Sequence, residues 1–95
     1  GKVKAAIKKY LNTIPGCWHY SPMQNGMGIT GLPDIVAVIN GRFVGIECKA
    51  PGKEKNTTAN QDRVLDAIQR AGGVAFVASS VEQVVSVFSD RSIHC

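Results

Sequence analysis

The sequence predicts an α/β fold, a mixed sheet flanked by helices, on three observations. Asn40-Gly41 sits between two apolar runs, 35–39 and 43–46, as a two-residue type I′ hairpin turn would. Ala59, Val64, Leu65, Ile68 and Ala71 recur at helical spacing between that hairpin and a third apolar run, 74–78. That third run is continuous rather than alternating, the pattern of a strand buried on both faces. A strand, a helix and a second strand of this kind make a parallel βαβ crossover, which is right-handed by rule.

The elements follow in order along the chain. Val3, Ile7, Tyr10 and Leu11 form a helical stripe with Lys4, Lys8 and Lys9 off it, so a first helix is expected over residues 2–12. Asn12-Thr13 and the Pro15-Gly16 turn end it. Residues 17–20 are a short aromatic strand that stops at Pro22. Residues 21–33 hold three glycines and two prolines and read as a loop leading into Asp34. The hairpin occupies 34–50 and a polar loop 51–56. Thr57 or Thr58 caps the next helix, which Gly72-Gly73 ends. Ser79 or Ser80 caps a last helix with Val81, Val84, Val85 and Phe88 on one side. The order is α-β-β-β-α-β-α in one domain, 1–95, without repeats or low-complexity segments.

Length and charge narrow the function. A chain of 95 residues buries only about 60–65% of its unfolded surface, so a modest core invites oligomerisation. The apolar stretch 81–88 is expected to exceed what one sheet face can cover, which favours a homodimer. The formal charge is +4, with the excess early in the chain at Lys2, Lys4, Lys8 and Lys9, and it fits a polyanionic partner. No apolar run approaches the roughly 20 residues of a membrane span, and no signal-peptide pattern opens the chain. No membrane partner and a cytoplasmic location are expected. Gly1 in place of methionine suggests processing or a boundary, and residues upstream are expected. Three cysteines, Cys17, Cys48 and Cys95, are too few and too irregular for a disulfide framework. Cys17-x-His19 and His94-Cys95 lack the spacing of zinc ligands.

The chemistry emerges when the hairpin is extended past its apolar pairs. With Asn40-Gly41 as the loop, Ile39 pairs with Arg42, Val38 with Phe43, and so on to Ile35 with Ile46. The next pair is Asp34 with Glu47. Opposed residues there have Cβ atoms roughly 4.5–5.5 Å apart, and like charges repel. Two facing acids at the end of an apolar hairpin call for a cation, and their hard oxygens suit Mg²⁺ or Mn²⁺. The Cys48 backbone carbonyl is a third candidate ligand, its side chain being turned to the opposite, buried face. Strand alternation places Lys49 on the acids' side. There it could orient or deprotonate a water, or stabilise charge developing on a phosphate. The plainer alternative is a solvated sheet end in which Asp34 caps a turn and Glu47 pairs with Lys49.

Gly31-Leu32-Pro33-Asp34 followed by Ile46-Glu47-Cys48-Lys49 resembles the signature of the PD-(D/E)xK nuclease superfamily. Within it the chain is similar to the virus-type replication-repair nuclease (VRR-NUC) domain. The likeness extends to Gly28–Gly31, to Ala50-Pro51 after Lys49, to Gln61 and to the Gly72-Gly73 break. It implies a restriction-endonuclease-like αβββαβ core, with Asp34 and Glu47 as metal ligands and Lys49 as the catalytic lysine. It also implies that Gln61 positions a ligand water or phosphate, where the helix pattern alone makes it a polar first-turn residue. Family members often add an acid from the first helix; this chain has no Asp or Glu before Asp34.

Lys53, Lys55 and Arg63 are expected to meet DNA phosphates beside the site, with Lys4, Lys8 and Lys9 as a second basic stripe. Trp18 either packs in the core or, with His19 and Tyr20, stacks on an unpaired base. His19 is expected at the surface or hydrogen-bonded. The expected function is a Mg²⁺- or Mn²⁺-dependent DNA endonuclease. Likeness to stand-alone phage-type domains implies a homodimer acting on branched DNA such as a four-way (Holliday) junction, in the phage or bacterial host cytoplasm. The alternatives are a monomeric flap or end-processing nuclease and a catalytically silent DNA-binding module.

Overall fold

In the computed structural model, residues 1–23 and 28–93 are described. Residues 24–27 of the long loop, and His94 and Cys95 of the considered zinc set, lie outside the described residues. The elements are α1 (Lys2–Leu11), β1 (Cys17–Tyr20), β2 (Ile35–Ile39), β3 (Arg42–Cys48), α2 (Ala59–Arg70), β4 (Val74–Ala78) and α3 (Val81–Asp90). They form one four-stranded sheet in the order β1-β2-β3-β4. β1–β2 and β2–β3 are antiparallel and β3–β4 is parallel, so the sheet is mixed, as expected. No helix of the described residues is long and apolar enough to cross a membrane.

Local chemistry accounts for the ends of these elements. The hairpin turn has φ of 49° at Asn40 and 84° at Gly41, the two positive values a type I′ turn requires. It sets the register from Ile39 opposite Arg42 to Ile35 opposite Ile46, as the pairing by count predicts. Of the two candidate threonines, Thr58 is the N-cap of α2, accepting from the Gln61 backbone N–H while the Gln61 side chain accepts from the Thr58 N–H. Thr57 instead donates to Asp62. Ser80 caps α3, while the Ser79 hydroxyl donates to Glu54 and ties the 51–56 loop down.

Strand alternation divides the core into two unequal sides. Ile35, Ala37, Ile39, Val44, Ile46, Val74 and Ala78 face α1 and α3, where they enclose Ile7, Leu11, Val84 and Phe88 in one buried cluster. Tyr10 and Phe76 close around Phe88 with ring centroids 6.3 and 6.2 Å away. Among the described residues, α2 is the one helix on the other side, joined there by the end of the loop before β2, whose buried Pro33 packs over Gly45. A helix is roughly 10 Å across and strands stand about 4.8 Å apart, so one helix shelters about half of a four-stranded sheet.

Two expectations need correction here. The α3 stretch does not overflow the sheet: Val84 and Phe88 are fully buried, Val81 and Val87 pack on the cluster, and Val85 alone is exposed. Two helices share that face, which supplies the cover one sheet surface lacks. Trp18 is not a core residue; it is 63% exposed, on the side that α2 leaves open.

Candidate functional site

The ladder between β2 and β3 ends at Ile35–Ile46, and the two acids stand one step beyond it. Asp34 is held by an accepted hydrogen bond, its Oδ2 taking the Cys48 backbone N–H at 2.8 Å. Glu47 lies on the α2 side of β3, opposite Val77 of β4, and is only 3% exposed. Glu47 is thus not solvated, although its ion pair with Lys49, part of the plainer alternative, is present and Asp34 is partly exposed. Cys48 points the other way and packs against the buried cluster, as alternation predicts. Burial, helped by the charges of Asp34 and Glu47, pushes its thiol up to about 12.

Gln61 joins the acid to the lysine. Its Nε2 donates to Glu47 Oε2 at 2.9 Å, and its Oε1 accepts from Lys49 Nζ at 3.2 Å and from the Thr58 N–H at 2.9 Å. One side chain thus completes the α2 capping box and bridges the acid to the lysine. Lys49 Nζ is also 3.4 Å from Glu47 Oε2. Both contacts converge on Oε2, while Glu47 Oε1 is buried without a hydrogen-bond partner. An ionised oxygen in that state is costly unless a cation meets it. Burial first, and repulsion by Asp34 second, raise the Glu47 carboxyl to about 7 despite the nearby ammonium of Lys49.

The donor set fits a hard divalent cation through this orphaned oxygen and the adjacent Asp34 carboxylate. Among the described residues, however, no three His, Cys, Asp or Glu side chains cluster to hold a metal. Two carboxylates are what the side chains provide, and further ligands must come from backbone carbonyl, water or substrate.

The candidate DNA-contacting residues separate into four places. Lys4, partly buried, lines a groove of about 530 Å³ together with Lys2, Asp34, Cys48 and Lys49. α1 thus brings lysines beside Asp34. Lys8 and Lys9 are a turn further along α1 and do not line the groove. Lys53 and Lys55 are exposed on the loop leaving Lys49. Arg63 donates to Asn60 Oδ1 and lines a different, apolar groove beside Tyr20 and Phe43. His19 hydrogen-bonds Asn12 across 2.7 Å, in line with the bland expectation for it.

Two contributors were not singled out by sequence. Lys2 was counted only as charge. Gly31 was noted as part of a glycine-rich approach, yet its reason is tertiary: at φ +82° it lies against the first turn of α2, where a Cβ would come within 2.5 Å of the Asn60 carbonyl carbon. Only glycine lets the loop before Asp34 approach the helix turn that carries Gln61. The chain matches no protein-family model, no curated protein and no solved structure.

Proposed function

We propose that this chain is a Mg²⁺- or Mn²⁺-dependent endodeoxyribonuclease with a restriction-endonuclease-like αβββαβ core, of the kind its resemblance to the VRR-NUC domain implies. One observation carries the reading: Glu47 is buried beside a second acid, with Oε2 held by Gln61 and Lys49 and Oε1 left without a partner. A buried carboxylate oxygen without a protein partner calls for an explanation, and a bound cation would supply one.

Asp34 and Glu47 would hold the cation, which when bound polarises a phosphoryl oxygen and acidifies water. The remaining work falls to protein groups. Gln61 keeps Glu47 in one rotamer and positions Lys49. Lys49, 18% exposed along its side chain, reaches the groove and stabilises charge developing on the scissile phosphate. Lys4 and Lys2 extend positive charge along that groove for the adjoining phosphates. Without a base-reading element among these groups, selection by DNA shape is the expected mode. That leaves branched DNA, such as a four-way junction, as the leading substrate and a flap or free end as the rival.

The test is cleavage of duplex, flap and four-way-junction DNA in Mg²⁺ or Mn²⁺. Asp34→Asn and Glu47→Gln should abolish cleavage with the fold retained. Lys49→Ala should lose turnover yet keep metal-induced thermal stabilisation. A wild-type chain that cuts none of these substrates, or a Glu47→Gln variant that cuts normally, would overturn the reading.

A further inference from the structure

The loop that leaves Lys49 is built from two consecutive turns tied at three points. Ala50-Pro51-Gly52-Lys53 has proline second and Gly52, at φ 84°, third, the pattern of a type II turn. The Lys53 N–H closes it on the Ala50 carbonyl at 2.9 Å, and the Asn56 N–H closes the second turn on the Lys53 carbonyl at 2.9 Å. One end of the loop is fixed where the Lys49 N–H meets the Ala78 carbonyl, the other where Gln61 accepts from the Thr58 N–H. The third tie is in the middle. There the hydroxyl of Ser79, itself only 5% exposed, donates to the Glu54 carboxylate. Ser79 first, then the backbone N–H groups of Glu54 and Gly52, hold the Glu54 carboxyl below its ordinary value, with the Gln83 side chain adding a lesser contact.

All of these donors are uncharged, so Glu54 stays ionised without neutralising either neighbour. Among the described residues, neither Lys53 nor Lys55 is in an ion pair. Both are exposed, while Glu54 between them is half-buried. In a free chain the acid would screen the two lysines that flank it; here it is turned away from them. We propose that Glu54 is a positioning residue: bound to Ser79, it pins the double turn so that Lys53 and Lys55 form a cationic clamp for the phosphate backbone of duplex DNA beside Lys49. Charge complementarity favours that occupant, since duplex DNA presents one negative charge per about 1.7 Å of its axis. Turns pinned beforehand also spare the cost of ordering the loop on binding. That the polyanion is DNA rests on the endonuclease reading, whereas the tie of Glu54 to Ser79 does not.

Charge and position predict opposite signs for one variant. Glu54→Ala removes a negative charge, so attraction alone would tighten DNA binding, whereas loss of the pin should weaken it. Fluorescence anisotropy of a labelled duplex in Ca²⁺, titrated with the full chain over a range of salt, reads the affinity and its salt slope. Lys53→Ala and Lys55→Ala should each lower the magnitude of that slope by about one. At about 0.1 M salt, one unit of slope is about a tenfold loss of affinity. Glu54→Ala should lower the slope by about one to two. Ser79→Ala, which changes no charge, should do the same, and the double variant should add nothing further. Glu82→Ala, at an exposed acid in the first turn of α3, should leave the slope as it is. Circular dichroism checks each fold, and Glu54→Ala, at a loop position, carries the test if Ser79→Ala does not fold. Binding by Glu54→Ala as tight as wild type or tighter would overturn the proposal. So would a slope indifferent to Lys53→Ala and Lys55→Ala, or a wild type that does not bind the duplex. A chain that binds in this way but cuts no DNA in Mg²⁺ or Mn²⁺ would overturn the nuclease reading alone and leave the clamp standing.

Discussion

The two sides of the sheet contrast in how they handle the same strands. Toward α1 and α3, strand side chains from Ile35 to Ala78 are apolar and buried, and Phe88 closes the middle. Toward α2, the same strands bury an acid at one end, Glu47, and expose aromatic rings at the other, Trp18 and Phe43. One side has two helices and the other one, and that difference sets what each can do. A fully covered face holds the fold together. A half-covered face has room to desolvate a carboxylate under the first turn of α2 and leaves aromatic rings in water.

The contrast breaks most readily at matched aromatics. Phe88→Ala should cost about 3–5 kcal/mol, as large-to-small changes in a closed core do, and so most of a small domain's stability. Phe43→Ala, on the open side, should cost under about 1 kcal/mol in the monomer. Urea denaturation at a concentration that keeps both chains monomeric measures the difference. Equal losses would mean that α2 shelters its side as well as α1 and α3 shelter theirs.

Next in size is Gly31→Ala, which sharpens the contrast by testing how tightly α2 is seated. A side chain at that positive φ costs about 1–2 kcal/mol, and its collision with the Asn60 backbone adds to this. The first turn of α2 should shift, taking Gln61 off Glu47. Stability should fall by roughly 2–3 kcal/mol, and cleavage should fall more steeply than in Gly41→Ala, where the Cβ meets nothing within 4 Å. Comparable activity in the two variants would show that the turn's position is immaterial.

The third prediction uses pH. The Glu47 carboxyl titrates at about 7 when folded against an ordinary 4.5, so the fold binds a proton that the unfolded chain releases. That stabilisation is fully present below about pH 4.5 and is lost as pH rises toward 7, a drop of roughly 2–3 kcal/mol. Melting temperatures of the metal-free chain should therefore decline across this window. Glu47→Gln should flatten the decline, and Mg²⁺ should offset it in the wild type by favouring the ionised form. A metal-free wild type whose stability is level from pH 5 to 7 would remove the buried-acid account.

The smallest effect belongs to the cap. Thr58→Ala removes one half of the capping box and should cost about 1 kcal/mol. Gln61→Ala, which also loses the bonds to Glu47 and Lys49, should cost a similar amount of stability but far more turnover. If the two variants matched in activity as well, Gln61 would be a cap residue alone.

Much of this architecture was legible in the chain because it rests on short-range rules. The type I′ turn at Asn40-Gly41 set the hairpin register, which the structure pairs as counted from Ile39 with Arg42 to Ile35 with Ile46. Apolar spacing located all three helices and four strands to within a residue or two, and the threonine and serine caps to within one position. The candidate acids followed from cross-strand counting, and Lys49 from alternation two residues beyond Glu47.

What the sequence could not decide depends on groups that meet only after the chain has packed. Asp34 and Gln61 each reach β3 across a separation of 14 residues, and no local period encodes that Gln61 bridges Glu47 to Lys49 while leaving Oε1 unpartnered. The place of Lys4, the reason for Gly31 and the exposure of Trp18 have the same origin. Periodicity says which side of an element is apolar, but whether that side ends up covered depends on how many helices share each face of the sheet. Turn type, caps and alternation are properties of neighbouring residues, so the sequence determined them by itself. Burial of one acid and exposure of one tryptophan follow from a sheet covered by two helices on one side and one on the other, and only the tertiary structure decided that.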